Sequence, residues 1–492
     1  MDAPYTRPHP FGETWGIDLG TLGLGQHQQE GQAERQAERQ AEREAQRRQQ
    51  RELACLMQAE LERSEDEGAY EAAVFDSFWR REFEAVAEAI DPSLSPERSA
   101  AVLRDLIGRN LLSYTDMRDN PERFFEAHRL LSKRLVGGFG IRFTVQYNLF
   151  AGSILGLGGE AQVAMLGQLQ RERTLGCFAL TEKGAGVNSG LVVNTTATWD
   201  PLARNFVLHT PDELARKAWI SQGLTASQMV VIADLIVAGK SHGPHAFLMP
   251  LRDEHGQLTP GVQVGDMGSK TVANDLDNAW IVFNQVAIPE TCLLDRFCAI
   301  EGQDKYVSRG GETMRLEVIG QRLLTGRMCI SQAALVFART LFANTRKYSD
   351  GKACWSPVET DQLKLSDVPQ LAALFERADS ELGTVEHFVS QVEAQLCECL
   401  RNSSIPSDEL VEAIAVCKIR GVGRSAELCF QLQQEVGSFA LLGGGGFEHL
   451  DMLLCCKFAE GDERILMQKM ARDRLKSVQG GGLSGWCELG AD

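Results

Sequence analysis

Few groups in this sequence stand at spacings that do chemistry by themselves. Gly184-Ala-Gly186-Val-Asn-Ser-Gly190 resembles a dinucleotide loop, where glycines let backbone approach a pyrophosphate. Its third glycine falls one residue late, however, and no strand-helix-strand alternation surrounds it. The phosphate-cradling GxxxxGK(S/T) pattern is absent, which argues against P-loop nucleotide hydrolysis. Gly482-Leu-Ser484-Gly485 lacks the spacing that exposes a nucleophilic serine on a sharp elbow. His242 and His245 form a close pair, but no acidic or cysteine partner sits at ligand spacing to complete a metal site. The 13 cysteines include Cys397-x-Cys399 and adjacent Cys455-Cys456 but no CxxC, and they read as small buried residues of a reducing compartment.

The elements that position these groups fall into blocks. Residues 32–43 repeat Gln-Ala-Glu-Arg three times. Such a helix has almost no apolar face to bury, so it reads as solvated or bound to a protein partner, and residues 1–68 read as an appendage. From Tyr70 to Ile90 a helical stripe of Val74, Phe78, Phe83, Val86 and Ile90 appears, closed by Asp91-Pro92. Helical patterns continue over residues 102–112, 121–135 and 161–170, giving an N-terminal helical domain over 69–175. Short β-branched runs at 191–199, 205–209, 229–237, 246–249 and 280–283, separated by Gly, Pro and Asp turns, predict a central β-barrel-like domain over 176–300. Long amphipathic stretches at 316–342, 370–401, 407–439 and 462–475 predict a C-terminal helical bundle over 301–478, before a Gly-rich tail at 479–492. The class is α+β, in the order α, β, α.

The 492 residues carry a formal charge of −17 and are 43% apolar. An acidic balance argues against nucleic acid or an anionic membrane as the main partner, because phosphate binding needs a basic field. No apolar run reaches the roughly 18–20 residues of a transmembrane helix. Met1-Asp2-Ala3-Pro4 does not open like a secretory signal, Asp2 and Glu13 weaken a mitochondrial presequence, and Leu489-Gly490-Ala491-Asp492 is not a peroxisomal tripeptide. The expectation is an intracellular, reducing location, with peroxisome, mitochondrion and cytosol all open.

Four ordered stretches carry a family resemblance. The first is Gly176 to Gly190 with Thr195-Thr-Ala-Thr-Trp-Asp-Pro201. The second is Lys217-Ala-Trp-Ile-Ser221, followed by His245 to Pro250, Pro260-Gly-Val262, Gly268-Ser-Lys270 and Asp277-Asn278. The third is Leu341-Phe-Ala-Asn-Thr-Arg346. The fourth is Gly443-Gly-Gly-Gly-Phe447 with Glu460-Gly-Asp-Glu-Arg-Ile465 and Ala471-Arg472. Over residues 70–475 the chain resembles the acyl-CoA dehydrogenase and acyl-CoA oxidase flavoproteins.

The resemblance implies an acyl-CoA dehydrogenase-like fold, bound FAD, and α,β-dehydrogenation of an acyl-CoA to a trans-2-enoyl-CoA. Glu460 matches the family's commonest catalytic base; otherwise it is a glutamate opening a helix. An alternative base position on an earlier helix is matched by Gln321, which cannot accept the proton. Phe178, Leu180 and Thr181 resemble the flavin-contacting segment, and Trp219 and Ser221 the strand that lays an indole and a hydroxyl by the flavin ring. Trp219 could also be an ordinary core residue. Arg346 matches an arginine reaching the FAD pyrophosphate of a neighbouring subunit, or is a surface helical arginine. Gly443 and Gly444 match a turn against adenosine, or a plain loop, and Gly186, Gly461 and Asp462 fall among the cofactor-contacting positions. The chain departs from the family after Glu182, where Lys183 to Asn188 replace a hydroxyl-bearing run, and at Ala440, where a glutamine is usual. The implied partners are acyl-CoA, O2 or an electron-transfer flavoprotein, and further copies of the chain in a homodimer or homotetramer. The first two stretches are closer to the oxidases, whose acceptor is O2, whereas the length is that of a dehydrogenase. The reading from another class is a non-catalytic scaffold subunit docked through its N-terminal helix.

Overall fold

A serine and a proline start the first capped helix: Ser95 Oγ accepts from the Arg98 N–H at 3.4 Å, and Pro96 occupies the first turn, where its missing N–H costs nothing. A computed structural model of the chain describes residues 67–91, 93–133, 137–186, 189, 191–309, 312–356 and 362–480. The Gln-Ala-Glu-Arg repeat and the Gly-rich tail lie outside these residues. The chain divides into two units, Met1–Ser77 and Phe78–Asp492; of the first, the structure describes only the start of helix α1.

The N-terminal helices are α1 (Glu67–Ala89), α2 (Pro96–Gly108), α3 (Asp116–Asp119), α4 (Pro121–Ser132), α5 (Phe139–Thr144), α6 (Gly152–Leu157) and α7 (Glu160–Arg171). Phe83, Val86 and Ile90 of the expected α1 stripe are buried, but Phe78 is 47% exposed and Trp79 takes its place in the core. The larger indole fills that position while its Nε1 donates to the Leu111 carbonyl at 2.6 Å. Between α5 and α6 the chain makes a π-helical stretch, Val145–Ala151, which the sequence patterns did not suggest. Gln146 from this stretch accepts from the Gly176 N–H (2.9 Å), and Asn148 donates to the Arg322 carbonyl (2.7 Å), tying the helices to the first strand and to the long C-terminal helix.

Eleven strands follow. They are β1 (Gly176–Ala179), β2 (Thr196–Asp200), β3 (Asn205–His209), β4 (Lys217–Ser221), β5 (Gln228–Val237), β6 (Lys240–Pro250), β7 (Val262–Asp266), β8 (Asn278–Phe283), β9 (Val286–Pro289), β10 (Cys298–Glu301) and β11 (Lys305–Ser308). The main sheet runs β1-β5-β2-β3-β9 with β6 on the other edge of β5; β4-β8-β7 form a second sheet and β10-β11 a hairpin. β5 reads as a continuous apolar run because both its faces are covered. Met229, Val231, Ala233 and Leu235 enter the core of the β unit, and Val230 and Ile232 enter the helical core. The expected strand from residue 191 begins only at Thr196, because the N–H groups of Asn194 and Thr195 are taken by the Glu182 carboxylate at 2.7 and 2.9 Å.

The C-terminal helices are α8 (Glu312–Gly351), α9 (Pro369–Arg401), α10 (Asp408–Glu435), α11 (Leu450–Cys455) and α12 (Glu463–Gly480). α8 and α10 approach closely at Gly421, where an added Cβ would lie 2.2 Å from Ser331 Oγ, which donates to the Cys417 carbonyl at 2.7 Å. Arg142, fully buried, joins the N-terminal helices to the β unit: its guanidinium reaches Asp277 (2.9 Å), the Asp275 and Pro96 carbonyls (both 3.1 Å), Gln222 and Thr225.

Candidate active site

Glu460 sits in the turn between α11 and α12, where two successive residues adopt left-handed backbone, Glu460 at φ +57° and Gly461 at φ +106°. Glycine accepts this conformation freely; glutamate does so only when its surroundings impose it. Two buried cations do the imposing. Arg327 on α8 donates from Nε to the Glu460 carbonyl at 3.0 Å. Lys418 on α10 donates from Nζ to the Lys457 carbonyl (2.6 Å) and the Gly461 carbonyl (2.9 Å). Asp462 then caps α12, accepting from the N–H groups of Arg464 (2.9 Å) and Ile465 (3.3 Å).

The Glu460 carboxyl lies against α8 where that helix carries no side chain: a Cβ on Gly326 would fall 2.5 Å from its Cδ. Burial pushes the carboxyl up to about 7, against the opposing pull of Arg327 and Lys418. The same burial pushes the Lys418 ammonium down to about 8. Glu460 opens onto a cavity of ≈ 620 Å³, counted out to its mouth, whose wall includes Leu131, Ile141, Ile330, Ala333 and Met452. A carboxyl of near-neutral pKa beside an apolar slot is suited to proton abstraction from a carbon acid held in that slot. Gln321, at the alternative base position, is engaged elsewhere: its amide donates to the Ser404 carbonyl at 2.9 Å and accepts from Arg322.

A second group of the expected residues gathers at the β unit. Trp219 is 57% exposed, with φ +59°, at an irregularity in the β4–β8 register between Lys217 and Ile220, so its indole stands out from the sheet rather than in a core. Ser221 Oγ accepts from Asn278 Nδ2 at 3.1 Å. Thr181 is exposed and its carbonyl accepts from the Ala218 N–H at 3.0 Å, which places it beside Trp219 in the chain pairing. Phe178 faces the helical core from β1, and Leu180 is partly buried against the same core. Gly186 is exposed, its N–H donating to Ser189 Oγ at 3.0 Å. This shelf adjoins the cavity: Gly137 and Gly140 line the cavity, Gly138 between them packs against Leu276, and Asn278 two residues on holds Ser221.

A buried ion pair that sequence reasoning missed shapes the shelf. Lys217 Nζ lies 2.9 Å from Glu182 Oε1, both fully buried, and donates to the Leu180 (3.1 Å) and Ile232 (2.7 Å) carbonyls. It pins the Leu180-Thr181-Glu182 loop to β4. Lys418, Arg327 and Gly326 were also missed. The available signal was a lysine on the apolar face of α10, among Ile414, Cys417, Gly421 and Val422.

The third group does not join the first two within one chain. Arg346 projects half-exposed near the end of α8, its guanidinium 4.5 Å over the Phe375 ring and 3.5 Å from Asp379. Gly443 is open, and the Gly444 and Gly446 N–H groups donate to Glu448 at 2.6 and 2.8 Å. Tyr348 stacks on Phe439 at 3.7 Å, which puts this turn beside the same end of α8. Arg346 is 20 residues beyond Gly326, about 30 Å along the helix. His242 and His245 are engaged with Tyr306, at 4.0 Å ring to ring and 3.1 Å from Nε2 to Oη. Among the described residues no group of His, Cys, Asp and Glu is placed to hold a metal ion.

No family model matches the sequence. The chain is 30% identical over 376 residues to an acyl-coenzyme A oxidase of Kluyveromyces lactis, covering 72% of this chain and 50% of that protein. The chain spans about half the length of the curated relatives it matches. Its fold superposes on acyl-CoA oxidase-2 of Caenorhabditis elegans, solved with FAD, ascaroside-CoA and ATP, with a TM-score of 0.67 and 22% identity over 84% of this chain and 63% of that one. It also superposes on butyryl-CoA dehydrogenase of Megasphaera elsdenii, with a TM-score of 0.60 and 18% identity, over 81% of this chain and 98% of that one. With the α, β, α order and the sequence identity to a curated oxidase both in hand, the chain belongs to the acyl-CoA oxidase and acyl-CoA dehydrogenase flavoprotein family.

Proposed function

We propose that the protein is an FAD-dependent enzyme that removes hydrogen across the α,β bond of an acyl-CoA, with O2 as electron acceptor and H2O2 as co-product. The observation that carries this reading is Glu460, a carboxyl held near neutral pKa on a strained, doubly clamped turn over an apolar cavity. The α-proton of a thioester is weakly acidic, so its removal needs a base that is pre-positioned and partly desolvated. Glu460 takes that proton on its carboxylate. Its backbone N–H, with no acceptor among the described residues, is available to the charge that grows on the thioester oxygen.

The shelf fits a flavin. An exposed indole on left-handed backbone, the Ser221 and Thr181 hydroxyls, and a loop pinned by a buried ion pair make a flat, polar-edged surface next to the cavity. Phe178, Leu180, Trp219 and Ser221 would hold the ring end, with Gly186, Gly461 and Asp462 nearby, and bound FAD supplies the acceptor for the β-hydride. Arg346, Gly443 and Gly444, about 30 Å from the base, would hold the pyrophosphate and adenosine of FAD in a second copy of the chain, which makes the working unit a homodimer or a dimer of dimers. The oxidase name of the curated relatives supports O2 as acceptor. The peroxisomal name of a human relative supports a peroxisomal location.

The test is the visible spectrum of the purified protein in air, before and after acyl-CoA of several lengths, with peroxide assayed alongside. A flavin band that bleaches, recovers and yields peroxide is the expected result, with bleaching lost in Glu460→Gln. Bleaching without peroxide would assign the electrons to an electron-transfer flavoprotein instead. Absence of a flavin band after incubation with FAD would overturn the enzyme reading in favour of a scaffold.

A further inference from the structure

The cavity beyond Glu460 is not uniformly apolar. His128, on α4, forms part of its wall at 4% exposure, and its Nδ1 is buried with no hydrogen-bond partner. A buried ring nitrogen without a partner is costly, and an apolar side chain of similar shape would avoid that cost. Ser132, one turn along the same helix, and Thr144 on α5 add hydroxyls to the wall. Each donates to a carbonyl of its own helix, Ser132 to His128 at 2.6 Å and Thr144 to Gly140 at 3.0 Å, so that lone pairs remain to accept from a ligand.

The position of His128 is set by α8. Glu460 meets α8 at Gly326, and Ala333, seven residues on, lines the cavity about 10 Å further along. Gln332, next to Ala333, shares the Glu393 carboxylate with Arg129, the neighbour of His128. His128 therefore meets a substrate well down its acyl chain and not at the thioester. Arg129 spends its charge on Glu126 and Glu393, away from the cavity.

Resting on the proposed function, we infer that the cavity takes an acyl-CoA whose chain carries a neutral hydrogen-bonding group, such as a hydroxyl, and that His128 is the residue that reads it. Burial holds the imidazole down to about 4, so at neutral pH the ring is uncharged, with one donor and one acceptor. A hydroxyl satisfies such a ring, whereas a terminal carboxylate would be desolvated against it without a counter-charge.

The experiment compares, in the FAD-loaded full chain, acyl-CoAs of equal length with and without one hydroxyl placed at successive positions. Turnover is followed by peroxide, and binding to Glu460→Gln by calorimetry. One hydroxyl position distant from the thioester is expected to improve kcat/KM and affinity by about tenfold over the plain chain. His128→Leu should abolish that preference and improve the plain substrate, and His128→Asn, which keeps a donor and acceptor near the Nδ1 position, should retain part of it. A wild type that disfavours the hydroxyl at every position, with plain chains turned over well, would overturn the assignment and needs no variant to fold. Failure of every thioester to bind or react would instead defeat the proposed function.

Discussion

At the scale of single residues, the chemistry rests on an ionisable group whose environment works against its charge. Glu460 has an ordinary value of 4.5 and is held at about 7 by burial. As a base it must be ionised, so kcat/KM should rise with pH through about 7, and Glu460→Gln should remove that limb together with the activity. The same shift makes a stability prediction independent of turnover. Between 4.5 and about 7 the folded chain holds a proton that the unfolded chain has released, so this residue's contribution to stability falls as pH rises across that window, by on the order of 3 kcal/mol. Denaturant unfolding at pH 5 and pH 8 should show Glu460→Gln gaining on the wild type at the higher pH; equal differences at both would mean that the carboxyl is solvated. Lys418→Met removes a cation beside that carboxyl and leaves the Lys457 and Gly461 carbonyls without their donor. It should move the acid limb of the kcat/KM profile to higher pH and cost about 2–4 kcal/mol of stability. A loss of stability with an unmoved limb would make Lys418 structural only.

At the scale of elements, α8 holds the base and shapes the cavity at once. Gly326 is a glycine inside a long helix, a position where alanine would ordinarily be favoured by up to about 1 kcal/mol. Here the added methyl would meet the Glu460 carboxyl at 2.5 Å. Gly326→Ala should therefore leave the melting temperature equal or higher while lowering kcat by ten- to a hundredfold, because a displaced base is misaligned with its proton. Unchanged kcat would show that the carboxyl has room to move without consequence. β4 stands in a similar relation to the shelf. Its register irregularity turns Trp219 out of the sheet, and the Lys217–Glu182 pair below holds the neighbouring loop. Breaking that pair with Lys217→Met strands a buried carboxylate, which is expected to cost about 3–5 kcal/mol, whereas a surface pair such as Lys183–Glu213 is worth little.

At the scale of the whole molecule, the residues expected around one cofactor fall into two places. Glu460 and the Trp219 shelf adjoin, and Arg346 with the Gly443-Gly444 turn lies about 30 Å away along α8. If a second copy completes each site, Arg346→Ala and Glu460→Gln should each be inactive alone yet regain activity when unfolded and refolded together, since mixed dimers contain one site with both residues intact. No recovery from a mixture shown to contain mixed dimers would place Arg346 outside the site.

Much of the helical and strand order was legible because amphipathic periodicity marks long helices and β-branched runs mark covered strands; β3 and α9 match their sequence patterns to within a residue. Phe78 and Trp79 were not separable, because two adjacent aromatics compete for one core position and only the packing of α1 against Leu111 selects the indole. The residue types at Glu460, Trp219 and Ser221 are local in sequence and were legible by resemblance. What the sequence determined by itself is the α, β, α order, the acidic composition, and a glutamate followed by a glycine able to take the left-handed turn. Only the tertiary structure brought Arg327, Lys418 and Gly326, from 43 to more than 130 residues away, onto that turn and thereby raised the carboxyl to near neutrality. Burial and charge proximity are properties of neighbours in space, and helix packing alone decides which neighbours those are.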